Sequence, residues 1–232
     1  MDDVWIFGDS FADEKWSVPT SGFNWVHEIN KQYNVKNLAK VGTGPDYSLD
    51  WFIRLTNSLP KEQLKKVSVI FLSSDSMRLN LKCYKDPMDS VLIYQIAEGK
   101  IKHQSFMFAK QLFKWYLDDD YRCRTNLQYL STLNHMSQYF KQVLYWPVAP
   151  IDPIVSNYID TADNVTVPQD CLLEISVHDC GHNIVGFDSQ DPRANHLHEE
   201  NHHVMYNQLV DWIENFSPID TSKFKFVAPL KD

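Results

Sequence analysis

The chain has 232 residues, 44% hydrophobic and 13% aromatic, enough to bury a sizeable core and to exclude disorder as its main state. Its 22 Lys and Arg against 30 Asp and Glu leave a net charge of −8. With no long basic run to neutralise phosphates, nucleic acid is excluded as a partner. Glycine is scarce, 7 residues in all, and Gly8, Gly42 and Gly44 fall in the first 44 positions, which marks those loops as places where the backbone needs it.

Taken in chain order, Val4-Trp5-Ile6-Phe7 is a continuous apolar run ending at Gly8 and predicts a buried strand. Asn24 is placed to cap a helix whose Trp25, Val26, Ile29 and Tyr33 share a face. Val35 to Ala39 predicts a second strand. Asp46 is the expected cap of the next helix, with Leu49, Phe52, Ile53 and Thr56 at helical spacing. Val67 to Leu72 is a third, wholly apolar strand ending in Ser73-Ser74-Asp75-Ser76. From Ser105 to Tyr139 the period is helical, and Asp118-Asp119-Asp120 divides it into two helices. Gln142 to Trp146 predicts a fourth strand and Leu172 to Val177 a fifth. A last helix runs from Glu199 to Asn215.

Apolar strands alternating with amphipathic helices predict an α/β fold: three layers, α/β/α, around a central, mostly parallel five-stranded sheet. The chain contains no linker or repeat, so residues 1–232 read as one domain with a helical elaboration around 83–140. No apolar run approaches the roughly 20 residues of a membrane span. The acidic start lacks a signal peptide's parts, so the expected location is the cytoplasm, or outside it by release without a secretory signal. Cys83, Cys123, Cys171 and Cys180 form no CxxC pair and read as reduced thiols.

Open parallel sheets bind ligands beyond the carboxyl ends of their strands. Those ends carry Gly8-Asp9-Ser10, Gly42-Thr43-Gly44 and Ser73-Ser74-Asp75-Ser76, and His196 precedes the last helix. A serine, small loops of backbone donors and a late histidine suit a nucleophile, an oxyanion hole and a base. There is neither a P-loop nor a GxSxG elbow, and Tyr47 stands where a dinucleotide-binding loop would need its third glycine.

Ile6-Phe7-Gly8-Asp9-Ser10 resembles the opening block of the SGNH (GDSL-type) hydrolases. Asn37-Leu38-Ala39 with Gly42 resembles their second block, and His196-Leu197 before a terminal helix their last. The blocks stand in family order and span nearly the whole chain. The resemblance implies the flavodoxin-like fold of that family and a serine esterase that needs no cofactor or metal. Ser10 would be the nucleophile and His196 the base, with Asp191 orienting the imidazole. Ser10, Gly42 and Ser74 would stabilise the oxyanion, and Asp9, Asp75 and Asn195 would support them. The substrate would be a small-molecule or glycan ester, an acyl or acetyl group on a sugar or lipid.

The sequence departs from the family twice. The third block, usually Gly-x-Asn-Asp, reads Ser73-Ser74-Asp75-Ser76, and a carboxylate in the Asn place would repel an oxyanion. Ser74, Ser76, Arg78 and Asn80 are the alternatives for that donor. The family Asp three residues before the His is replaced by Arg193, leaving Asp191, Asn195, a backbone carbonyl or nothing to orient the ring. This Asp-x-Arg-x-Asn-His arrangement looks like that of divergent relatives, some carried by tailed phages, which adds a virus particle to the candidate locations. Two other readings follow: a catalytically silent protein of the same fold with a binding or structural role, and a metal-dependent hydrolase built on His178, His182, His196, His198, His202 and His203.

Overall fold

The computed structural model describes residues 2–14, 22–74, 76, 78–80, 90–92, 107, 111, 119–148, 160–176, 197 and 199–224. β1 (Asp3–Phe7) is buried on both sides: Val4 and Ile6 enter one core, Trp5 and Phe7 the other. β2 (Asn34–Asn37) pairs with β1 in parallel, Asp3 opposite Asn34. β3 (Val67–Ser73) flanks β1 on its other side, Asp3 opposite Val67 and Phe7 opposite Phe71. A short antiparallel pair, β4 (Arg78–Asn80) and β5 (Ser90–Leu92), forms a separate ribbon. β6 (Gln142–Pro147) adds to β3, and β7 (Val165–Thr166) to β6. The sheet order is β2-β1-β3-β6-β7, all parallel. Counting this sheet's strands alone, that is the doubly wound order 2-1-3-4-5.

The two faces of the sheet are covered by different helices. α1 (Trp25–Gln32), α5 (Leu172–Ser176) and α6 (Glu199–Asn215) share a core with Val4, Ile6, Ile70 and Leu144. α2 (Pro45–Ser58), α3 (Lys61–Leu64) and α4 (Asp119–Ser137) share the other with Trp5, Phe7, Phe71 and Tyr145. The expected three-layer α/β architecture is therefore the observed one. Among the described residues no helix is long and apolar enough to cross a membrane.

Local chemistry accounts for the elements. Asn24 caps α1 as expected, its Oδ1 accepting from Val26 N at 2.7 Å. α6 has the expected bounds. Of the two helices expected over 105–139, the second is α4; the first lies almost entirely outside the described residues.

Three expectations are corrected. Leu172 to Val177 is not the fifth strand; Leu172–Ser176 is α5. Glu174 Oε2 accepts from Cys171 N at 2.7 Å, the reach-back half of a capping box, and Leu172 and Ile175, three apart, are both buried. The fifth strand is β7, two residues long and too short to stand out as a pattern. Asp46 does not cap α2. Gly44 is the N-cap and Pro45 fills the first helical position, where a missing N–H costs nothing. Asp46 sits in the first turn and accepts from the Tyr129 hydroxyl of α4. β2 ends at Asn37 rather than Ala39, and just beyond it the Asn37 side chain takes the Ala39 N–H on its Oδ1 at 2.9 Å.

Phe52 on α2 is fully buried, edge-on to Phe7 with ring centroids 5.6 Å apart. Its neighbour Trp51 is 39% exposed. Phe52→Ala is expected to destabilise the fold by about 3–5 kcal/mol in urea unfolding. Trp51→Ala is expected to cost less than about 1 kcal/mol. Equal losses would contradict the assignment of that helix face.

Candidate active site

Because the strands are parallel, the carboxyl ends of β1, β2 and β3 share one edge. The turn after β1 begins at Gly8, where contact demands a glycine: a Cβ would lie 3.0 Å from the Leu72 carbonyl oxygen and 3.1 Å from Leu72 Cβ. The Asp9 carbonyl then accepts from Ala12 N at 3.1 Å and Asp13 N at 2.9 Å, one helical turn that contains Ser10.

The Asp9 side chain joins this turn to β3. Its Oδ1 accepts from Phe11 N at 3.2 Å and its Oδ2 from Ser74 Oγ at 2.7 Å, and Asp9 and Ser74 are both buried. Three further bonds brace the turn from outside. Asn37 Nδ2 donates to the Ala12 carbonyl at 2.9 Å, Asp13 Oδ2 accepts from Val41 N at 2.7 Å, and Trp25 Nε1 donates to the Phe11 carbonyl at 3.2 Å. Bonds of this kind contribute about 0.5–1.5 kcal/mol each, more where a charge takes part. Their shared effect is to fix one conformation for the turn. Ser10 is 7% exposed, and among the described residues its hydroxyl has no hydrogen-bond partner.

The loop after β2 runs beside this turn. Leu38 N and Lys40 N donate to the carbonyls of Ile6 and Gly8 at 2.8 and 3.1 Å, so the pairing continues past the last strand residue. Two residues on, Gly42 has φ +78°, a left-handed conformation that favours glycine. Among the described residues a Cβ there would meet nothing within 4 Å, so backbone angle rather than crowding sets its identity. Gly44 is fixed by contact, since a Cβ would collide with the Arg78 carbonyl oxygen.

The edge thus brings together Asp9, Ser10, the Gly42 loop and Ser74. Ser74, expected to donate to an oxyanion, has its single hydroxyl hydrogen directed to Asp9. Ser76, 2% exposed, has a hydroxyl with no partner among the described residues. His196, Asp191, Asn195 and Asp75 lie outside the described residues. Leu197, next to His196, is 2% exposed in the core that also holds Phe11 and Ala12. The start of α6 is anchored nearby. The His203 ring stacks on Phe23 at 3.6 Å between centroids, two residues before the Trp25 that holds Phe11, and Asn201 Nδ2 donates to the Ile175 carbonyl at 3.1 Å.

Sequence reasoning missed the bracing parts played by Asn37, Asp13 and Trp25. Asn37 was visible in its motif, but nothing in the residue types pointed to Asp13 or to the Trp25 indole. The buried phenols are poor acid–base candidates: burial and a bond to Asp46 push Tyr129 upward, and burial does the same to Tyr145 against an opposing bond from Ser73.

Among the described residues no group of three or more His, Cys, Asp or Glu is arranged to hold a metal ion. His202 is buried and His203 exposed; His178, His182, His196 and His198 lie outside the described residues. No family model, no curated protein and no solved structure matches the chain.

The Asp9–Ser74 bond is open to a double-mutant cycle. Asp9→Ala and Ser74→Ala are each expected to destabilise by about 1–3 kcal/mol. Their coupling energy is expected to be at least about 1 kcal/mol. Additive effects in chemical denaturation would show that the bond does not join the two strand ends.

Proposed function

We propose that the chain is a serine hydrolase acting on a carboxylic ester, an acyl or acetyl ester of a sugar or lipid, with Ser10 as nucleophile. The observation that carries this reading is the Ser10 turn. A serine whose hydroxyl has no partner among the described residues, at the carboxyl end of β1, sits in a turn held by four side chains: Asp9, Asp13, Trp25 and Asn37. A turn that only connected a strand to the next segment would not need such fixing, whereas a nucleophile must be held to a fraction of an ångström.

The chemistry follows from the residues. A serine hydroxyl is a weak nucleophile at neutral pH, so His196 takes its proton as Ser10 Oγ bonds to the ester carbonyl carbon. The carbonyl oxygen becomes an oxyanion, and the backbone N–H groups of Ser10 and Gly42 are the donors proposed for it. Collapse breaks the bond to the leaving oxygen, which receives the proton from His196. Water, deprotonated by the same imidazole, then attacks the acyl-Ser10 ester and releases the acid. Asp191 is proposed to hold the ring. Support for His196 comes from Leu197, buried with Phe11 and Ala12, and from the anchoring of the α6 start through Phe23.

The likeness of the sequence blocks to the SGNH hydrolases and the 2-1-3-4-5 sheet order agree with this assignment of roles.

Wild-type protein is expected to react with a fluorophosphonate and to hydrolyse a short-chain aryl ester. Ser10→Ala is expected to abolish labelling and to lower turnover by at least about 1,000-fold. Wild type and variant behaving alike would overturn the reading, and a wild type inert to both reagents would favour a non-catalytic protein of this fold.

A further inference from the structure

The Gly42 N–H belongs to a turn of a definite kind. Thr43 N donates to the Lys40 carbonyl at 3.3 Å and Thr43 Oγ1 to the same oxygen at 2.7 Å, which closes a four-residue turn from Lys40 to Thr43. Gly42, its third residue, has φ +78°, while Val41, its second, does not have a positive φ. That combination is a type II turn. The type I alternative differs by a flip of the central peptide: ψ of the second residue changes by about 150° and φ of the third by about 170°. The peptide that flips is the one that carries the Gly42 N–H. Turn type therefore decides on which side of the loop that N–H stands.

Two bonds tie this turn to the one that carries Ser10. Lys40 N donates to the Gly8 carbonyl at 3.1 Å, and Val41 N donates to Asp13 Oδ2 at 2.7 Å. Gly8 and Asp13 stand at either end of the Ser10 turn, whose Asp9 carbonyl accepts from Asp13 N at 2.9 Å. The first tie is made by backbone atoms alone. The second depends on a side chain, and its length falls in the range of charge-assisted bonds. The Val41 N–H lies one residue before the peptide that flips, so holding it holds one side of that rotation.

We propose that Asp13 is a positioning residue: its carboxylate holds the Lys40–Thr43 turn in the type II form and so keeps the Gly42 N–H at a fixed separation from Ser10. This rests on the assignment of Ser10 as nucleophile and of the Gly42 N–H to the oxyanion. Asp13 itself exchanges no proton. Ser10 Oγ bonds to the ester carbonyl carbon, the C=O π pair moves to oxygen and the Ser10 proton goes to His196, and the new oxyanion meets a donor already in place. A donor fixed beforehand acts on the transition state more than on the bound ester, and a misplacement of about 1 Å costs up to ~100-fold in rate. The role requires an acceptor oxygen at one point. It does not require a negative charge, which gives a nearby oxyanion no help.

Three substitutions separate position from charge. Asp13→Asn keeps an acceptor oxygen in place and removes the charge. Asp13→Glu keeps the charge and shifts the oxygen by one methylene, and Asp13→Ala removes both. For a short-chain aryl ester, Asp13→Asn is expected to keep kcat within about threefold of wild type. Asp13→Glu and Asp13→Ala are expected to lower kcat by roughly 10–100-fold, with KM changed less than about threefold. A second readout is inhibition by an alkylboronic acid, in which Ser10 Oγ bonds to boron and a boron-bound oxygen takes the oxyanion's place. Its Ki is expected to rise in each variant by the factor by which kcat falls. A kcat in Asp13→Glu at or above that of Asp13→Asn overturns the proposal, and this comparison decides even if Asp13→Ala does not fold. A loss carried mainly by KM, or a boronate Ki that does not follow kcat, also overturns it. Each of these results leaves the Ser10 assignment intact. Absence of Ser10-dependent turnover in the wild type overturns the hydrolase reading and this proposal together.

Discussion

The hydrogen bond from Ser74 Oγ to Asp9 Oδ2 joins the carboxyl ends of the neighbouring strands β1 and β3, and the edge of the sheet is organised around it. It is possible because β1 and β3 run parallel in a register that sets Phe7 opposite Phe71, which places Asp9, two residues beyond β1, beside the end of β3 at Ser73. Gly8 lets the backbones stay close there, with Leu72 where a side chain would otherwise stand. The same carboxylate takes the Phe11 N–H and so shapes the turn that carries Ser10. One buried side chain thus converts strand register into the placement of a hydroxyl.

Two apolar cores make that register secure. Val4, Ile6, Ile70 and Leu72 face one helix layer while Trp5, Phe7, Val69 and Phe71 face the other. A slip by one residue would exchange the two sets and misplace every side chain at once. Side chains from β2, α1 and the loops then brace the Ser10 turn against this fixed edge. The glycines divide the remaining work by position. Gly8 and Gly44 allow close contact, and Gly42 supplies a left-handed turn.

The parts legible in the sequence were those with a strong local signal. The central strands were visible as short runs apolar on both faces, α1 through Asn24, and α6 through a long amphipathic stripe. β7 was not, because two residues carry no period; its place in the sheet comes from its pairing with β6. α5 was misread because Leu172 and Leu173 look like a strand, while the informative residue is Glu174 reaching back to Cys171. In the site, Ser10 and Gly42 were marked by short motifs. The bracing by Asp13 and Trp25 was hidden, because bonds between a side chain and a distant loop depend on tertiary placement and leave no spacing to read. Ser74 carried the right chemistry for a donor, but whether its hydroxyl faced a ligand or Asp9 was set by the register of β3 on β1.

A crystal structure of the protein after reaction with a fluorophosphonate tests the central claim most directly. The account predicts phosphorus bonded to Ser10 Oγ, with the phosphoryl oxygen about 2.7–3.1 Å from the backbone nitrogens of Ser10 and Gly42. A phosphoryl oxygen turned to solvent with none of these donors, or phosphorus on another residue, would contradict it.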